Sequence, residues 1–145
     1  MPYKNITVTP TKYTSQHTNK SSQFYVGFSS QNSSTKSVKL YDFDIVKQDL
    51  LNRFNTRKGE RVMNPDFGTI IWSLIFEPLT PSVKQKITDD LNRILNSDPR
   101  VSPTQIKVVE ADAGFLAEIT LLMNGTDVSQ TLRFNFNSSV GLASA

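Results

Sequence analysis

The chain has 145 residues, 37% of them hydrophobic, a formal charge of +3, one histidine and no cysteine. That length fits one domain; the missing cysteines exclude disulfides and thiolate metal sites, and a lone His17 leaves little room for a histidine metal centre or a Ser-His-Asp triad. No apolar run approaches the ~20 residues needed to cross a bilayer, and the opening Met-Pro-Tyr-Lys-Asn lacks a signal-peptide pattern, so a soluble protein made in a cytoplasm is expected.

The charge is unevenly spread. Residues 1–40 carry five lysines (Lys4, Lys12, Lys20, Lys36, Lys39) and no acid, while residues 41–145 carry eleven basic and thirteen acidic side chains, so +5 stands against −2. A basic, acid-free arm on a mildly acidic body is the pattern of an interaction tail or of a solvated leader. This arm is too polar to offset its ordering entropy by burial, so it is expected to be extended and to order on a partner. Only Phe24 to Phe28 has strand character, and Gly27 weakens it.

From Tyr41 the pattern becomes helical. Phe43, Val46, Leu50, Leu51 and Phe54 recur on one face, with Lys47, Asp49 and Arg53 mostly opposite, and Asp42 or Asp44 is placed to cap the start. The helix is expected to stop near Asn55, before the loop Thr56 to Gly68. The apolar run Thr69 to Phe76 fits a buried strand or a short buried helix; Ile71, Leu74 and Ile75 share one helical side, which favours the helix. Trp72 within it reads as a core or subunit-contact residue. Thr80-Pro81 marks a second long helix, with threonine as N-cap and proline in the first turn. Val83, Ile87, Leu91, Ile94 and Leu95 form its stripe. Lys84, Lys86, Asp89, Asp90 and Arg93 read as its surface, with Lys86 and Asp90 as an i,i+4 pair. Pro99 ends it near Ser97.

The remainder reads as strands over Ile106–Asp112 and Phe115–Met123, joined at Ala113-Gly114, followed by the hairpin signal Asn124-Gly125. In the third strand Val128, Leu132, Phe134 and Phe136 face one way, and Ser129, Thr131, Arg133 and Asn135 the other. Such alternation implies an antiparallel meander with one buried face. The fold expected is therefore α+β: two main amphipathic helices and a short helical segment packed on a three-stranded antiparallel sheet. The boundaries are an arm at 1–40, a domain at 41–137 and a flexible tail at 138–145.

Little here has the spacing of catalysis. Glu60, Asp66 and Glu77 lie near turns, but nothing makes two of them converge as a glycosidase pair. Lys58-Gly59-Glu60 lacks the preceding glycine and following hydroxyl of a phosphate loop. Arg57, Lys58 and Arg61 form a basic cluster that reads first as a solvated or salt-bridged turn, with phosphate binding as its rival. Asp98-Pro99-Arg100 reads as a helix stop, or as a carboxylate and guanidinium forming an internal clamp or docking a partner's charges.

These residues also carry a resemblance. Thr56, Gly59 and Arg61, then Pro65-Asp66-Phe67-Gly68, the apolar run, Thr80-Pro81, and a helix ending in Asp98-Pro99-Arg100 together resemble the small baseplate wedge protein family of contractile-tailed bacteriophages. That family includes the related baseplate subunit of type VI secretion systems and was once labelled lysozyme-like. The likeness spans about residues 42–136. The family usually has glutamate where this chain has Asp98, and the polar arm is atypical of it.

The resemblance implies a structural protein and no enzyme, in the inner baseplate of the virion tail, assembled in the host cytoplasm. It implies a C-terminal sheet that offers strand edges to the first ring of tail sheath. Other wedge proteins, the sheath protein, and tail tube or hub proteins are the partners implied; no cofactor, metal, small-molecule substrate or membrane is expected, and nucleic acid is not favoured. Carried over, Asp98 and Arg100 stand at the sheath contact with Pro99 holding the turn, and Arg57, Arg61 and Arg133 are further partner-contact candidates. Residues 128–136 are the expected pairing edge. A small regulatory binding module, or nucleic-acid binding through the basic arm, are the alternatives.

Overall fold

A computed structural model describes residues 25–29 and 39–144. The chain enters on a short antiparallel ladder, β1 (Val26–Phe28) against β2 (Lys39–Tyr41), in which Gly27 faces Leu40. A Cβ on Gly27 would collide with the tip of Ile45, so the glycine is what lets the next helix lie against this strand. Both strands fall in or next to the segment expected as an arm. The rest of that segment, including Lys4, Lys12, His17, Lys20 and Lys36, lies outside the described residues.

Helix α1 (Phe43–Asn55) forms where the apolar spacing places it, burying Val46, Leu50 and Phe54. Its start differs from expectation. Asp42 has a left-handed φ of 47° and makes no side-chain cap. Instead its carboxylate accepts from the Tyr25 amide at 3.1 Å, and its own amide donates to the Tyr25 carbonyl at 3.0 Å. The acid ties the short ladder to the helix, and Asp44 supplies the negative charge in the first turn.

The ambiguous apolar run is a helix, α2 (Ile71–Leu74), which turns Ile71, Leu74 and the following Ile75 into the core. Trp72 is half-buried; its indole N–H donates to the Phe54 carbonyl at 2.6 Å, and its ring meets Phe136 edge-on. Helix α3 (Pro81–Asn96) opens with the Thr80 hydroxyl accepting from the Val83 amide, and buries all five residues of its stripe.

One residue on α3 departs from the expected surface. Asp90 is 6% exposed and pairs with Arg93 at 2.7 Å, not with Lys86. Its other oxygen accepts from the Thr69 hydroxyl at 2.6 Å and the Ile70 amide at 3.0 Å. A buried carboxylate persists only when its lone pairs are met by donors, and here the segment leading into α2 meets them.

The sheet runs β3 (Val101–Ala111), β4 (Gly114–Met123), β5 (Ser129–Asn137) and β6 (Gly141–Ser144), antiparallel and in chain order. The expected three strands are thus four, because the stretch read as a flexible tail turns back. Asn137 accepts from the Ser139 and Val140 amides, Gly141 takes a φ of 94°, and Leu142 packs on the core. Strand β3 also begins five residues earlier than expected. It passes Pro103 with a register break before Gln105, an arrangement an outermost strand tolerates. Val128 lies before β5 in the turn and is 56% exposed, so it does not share the buried face.

The three helices cover one face of this sheet. Phe54 meets Phe134 and Phe136 edge-on at 5.0 and 5.8 Å, and Phe115 stacks on Phe136 at 5.0 Å. Contacts of this kind add about 0.5–1.5 kcal/mol each beyond burial. The other face of the sheet carries Glu118, Thr120, Thr131 and Arg133.

Candidate functional site

The distinctive polar structure lies where α3 gives way to β3. Helix α3 closes with the Ser97 and Asp98 amides donating to Ile94 and Leu95, and Pro99 prevents another turn. Asp98, 9% exposed, folds its side chain forward onto Arg100. One carboxylate oxygen accepts from the Arg100 backbone amide at 3.0 Å and from Nε at 2.9 Å. The other accepts from Nη2 at 2.7 Å. The first bond is an Asx turn, a closure suited to the short aspartate chain; the side-chain bonds are the bidentate carboxylate–guanidinium fork.

Nη2 of Arg100 also donates to Asp49 on α1 at 2.7 Å. One guanidinium therefore joins the end of α3, the start of β3 and the middle of α1. The electrostatics follow from that packing. Burial pushes the Asp98 carboxyl up, but the hydrogen bonds and charge of Arg100 outweigh it and hold it below the usual carboxylate value. Arg100 is raised in turn, by Asp98 first and against its own burial, with Asp49 adding to the effect. Among the readings open for this motif, the internal clamp is the one these side-chain contacts form.

A residue that sequence reasoning missed completes the turn. Asn124, read only as a hairpin signal, donates through Nδ2 to the Pro99 carbonyl at 2.8 Å and through its backbone to Arg100 at 2.9 Å. Nothing in its spacing signals that role, which depends on the β4–β5 turn arriving beside the end of α3.

The loop Thr56 to Gly68 is held against the helices by two arginines. Arg93 donates to the carbonyls of Asp66 and Gly68 at 2.8 and 2.7 Å. Arg53 reaches the Phe67 carbonyl at 3.3 Å and the Ser97 hydroxyl at 2.6 Å. Thr69 and Thr56 close the base, and Gly68 passes so near the Arg57 carbonyl that a Cβ there would overlap it. Within this frame Arg61 lies over the Phe67 ring, its guanidinium carbon 3.7 Å from the centroid.

A cleft of about 310 Å³ lies between the loop and the clamp, lined by Asp49, Arg53, Arg61, Phe67, Asp98 and Arg100 among others. The structure thus brings Asp98, Arg100 and Arg61 together, with Pro99 exposed beside them. Arg57 remains in the loop, exposed, where its amide donates to Glu60. Arg133 belongs to the outer face of the sheet, pairing with Glu118 at 3.0 Å. The three acids considered for hydrolysis do not form a pair around this cleft. Glu60 caps the loop, Asp66 faces Lys58 at 3.6 Å, and Glu77 is exposed after α2. Among the described residues no group of three metal-ligating side chains occurs, and no helix is long and apolar enough to cross a membrane.

Residues 42–135 match the family model described as baseplate wedge protein gp25. Baseplate wedge protein gp25 of Enterobacteria phage T4 is 28% identical over 90 residues, covering 59% of this chain and 68% of that protein. Two solved structures share the fold. One is a candidate tail lysozyme of Geobacter sulfurreducens, with a TM-score of 0.63 at 22% identity, covering 70% of this chain and 96% of that one. The other comes from the baseplate of the anti-feeding prophage, with a TM-score of 0.55 at 21% identity, covering 72% and 84% respectively.

Proposed function

Because this chain belongs to the baseplate wedge protein gp25 family, a family of structural components of the contractile-tail baseplate, we propose a finer role for it: a subunit of the inner baseplate that starts the tail sheath by strand addition. Its place is then the virion tail, and its partners are other baseplate proteins together with the first sheath subunits. The observation that carries the reading is the state of the sheet's borders. Strand β3 pairs only with β4, so the outer side of an eleven-residue strand has no neighbouring strand among the described residues. At the other border β6 covers β5 only from Phe134 to Asn137, leaving Ser129 to Arg133 open. Open backbone edges are templates for a strand from another chain, which is a hazard in a monomer and a means of joining in an assembly.

In this role Asp98, Pro99 and Arg100 act as a fixture for the root of β3, and the exposed remainder of Arg100 faces the incoming partner. Arg57, Arg61 and Arg133 supply further partner contacts. Lys107 and Glu110 on β3 leave the border charged enough to discourage indiscriminate pairing. A proline scan over Gln105 to Ala111, made in the producing particle, tests the reading. Prolines that remove an inward N–H break the β3–β4 ladder and unfold the chain, whereas those that remove an outward N–H leave it folded by circular dichroism. The folded variants are expected to give baseplates and tubes without sheath. Sheathed tails at normal yield from every folded variant would reject strand addition at β3.

A further inference from the structure

The charges of the cleft beside the clamp do not balance. Both oxygens of Asp98 and one oxygen of Asp49 are engaged by Arg100. Arg53 donates through Nε and Nη1 to neutral oxygens of Phe67, Ile94 and Ser97 and makes no ion pair among the described residues. Arg61 makes no ion pair among the described residues and rests on the Phe67 ring, which Arg53 also approaches, its guanidinium carbon 5.0 Å from the centroid. Two like charges thus share one aromatic ring, and neither forms an ion pair with a carboxylate among the described residues. Burial lowers the pKa of Arg53, and after the opposing pull of Asp98 the neighbouring Arg93 and Arg61 lower it further.

The loop that carries Arg61 adds a second feature. Val62 and Met63 are 92% and 95% exposed, yet their loop is internally bonded, Gly59 to Pro65 at 2.8 Å and Phe67 to Asn64 at 3.2 Å, and is anchored by Arg53 and Arg93. Apolar side chains held out on a pinned loop are a surface prepared for another surface.

We infer that this cleft receives a carboxylate of a neighbouring baseplate chain, with Arg61 and Arg53 as donors and Phe67 as its floor, while an apolar side chain of the same partner segment covers Val62 and Met63. The occupant is an aspartate or glutamate side chain beside an apolar residue. Charge complementarity selects it: a carboxylate accepts charge-assisted hydrogen bonds from the two guanidinium groups and offsets the excess positive charge of the cleft, whereas a lysine or arginine would add a third like charge. The inference rests on the chain being a baseplate subunit, and it names the chemistry Arg61 recognises.

Carbodiimide coupling of purified baseplates carrying Arg61→Lys tests it, because an amide forms only where the introduced amine touches a carboxylate. The expected product joins position 61 to an Asp or Glu side chain of another chain, identified by mass spectrometry of the linked peptide; a link only to a chain end overturns the inference. Assembled particles with no such link, or with a link only to this chain's own Asp49 or Asp98, overturn the inference while leaving the assembly reading intact. Absence of the unaltered chain from purified baseplates overturns both. Should Arg61→Lys fail to assemble, Val62→Cys replaces it, since the chain has no other thiol. Maleimide labelling of that cysteine is expected to slow at least about tenfold on assembly; equal labelling in the free chain and the particle overturns the inference.

Discussion

Replacing Arg100 with alanine removes two side-chain donors from Asp98 and one from Asp49, while Asp98 remains a carboxylate that is only 9% exposed. Removing one partner of a fully buried pair costs about 3–5 kcal/mol, and exposed pairs are worth below about 1 kcal/mol. This contact lies between the two, because the Arg100 side chain is 23% exposed and that of Asp49 is 46% exposed. The Arg100 amide also survives the substitution and still satisfies one oxygen of Asp98. An intermediate loss of about 2 kcal/mol follows, which for a body of this size lowers Tm by roughly 8 °C. Urea unfolding at pH 7 of Arg100→Ala, Asp98→Asn and the double variant measures it. The double variant is expected to fall short of the summed single losses by about 1.5 kcal/mol, since the two residues act through one contact. Arg100→Lys should restore less than half the loss, because an ammonium cannot reproduce the fork on Asp98 while reaching Asp49. A cycle in which the single losses add to within about 0.5 kcal/mol would refute the coupling and reduce the motif to a helix stop.

Asp90→Ala strands the Thr69 hydroxyl and the Ile70 amide and removes the ion-pair partner of Arg93, which keeps its bonds to Asp66 and Gly68, and is expected to cost about 2–3 kcal/mol; amide exchange at Ile70 and Lys58 should quicken more than at the centre of β4. The clamp also sets an acid limit. Asp98 titrates below its ordinary value in the folded chain, so its contribution is complete above the unfolded pKa of about 3.9 and is lost as pH falls through the folded pKa. Stability attributable to it should be flat from pH 7 to 5 and decline below about 4, with a shallower decline in Arg100→Ala, as read by urea midpoints across that range. Truncation after Ser138 removes β6 and the Leu142 contact, and should cost about 1–2 kcal/mol while exposing the whole outer side of β5. Concentration-dependent association by size-exclusion chromatography is the expected sign, and a monomer of unchanged urea midpoint would show β6 to be passive.

The helices were legible because each rests on local signals. The stripe from Val83 to Leu95, the Thr80 cap and Pro99 all act within one or two turns of themselves. The middle of the sheet was legible for the same reason, since alternation along Phe115 to Met123 is read directly from neighbours. Asp90 was misjudged because a single acid among lysines looks like surface; only the approach of Thr69 and Ile70, some twenty residues away, supplies donors for it. Asp42 failed as a cap because Tyr25 competes for its carboxylate. Strand β6 was hidden because Gly141 to Ser144 has little strand propensity and derives its order from β5 and α1. At the site, Asp98 and Arg100 could be picked out by the proline between them, but Asp49 and Arg53 come from α1, Phe67 from the loop and Asn124 from the β4–β5 turn, three separate segments.

The placement of the clamp bears on why an assembly protein would satisfy its most distinctive ion pair internally. Among the described residues strand β3 has a ladder on one side only, to β4, and it packs against α3. Strand β3 pairs with β4 from Val101 onward, with one register shift between Pro103 and Gln105, and the residue before the ladder fastens its start. Arg100 does that from below, bonded at once to Asp98 at the end of α3 and Asp49 on α1, while Asn124 holds the two carbonyls on either side of the Pro99–Arg100 bond. Such an arrangement ties the root of β3 to α1, to the end of α3 and to the β4–β5 turn. At the loop, Arg93 and the Nε of Arg53 hold backbone carbonyls, while Arg61, Val62 and Met63 stay exposed. Fixed polar contacts inside and unmet groups outside are two halves of one requirement, because an edge or a charge that is free to move recognises nothing in particular.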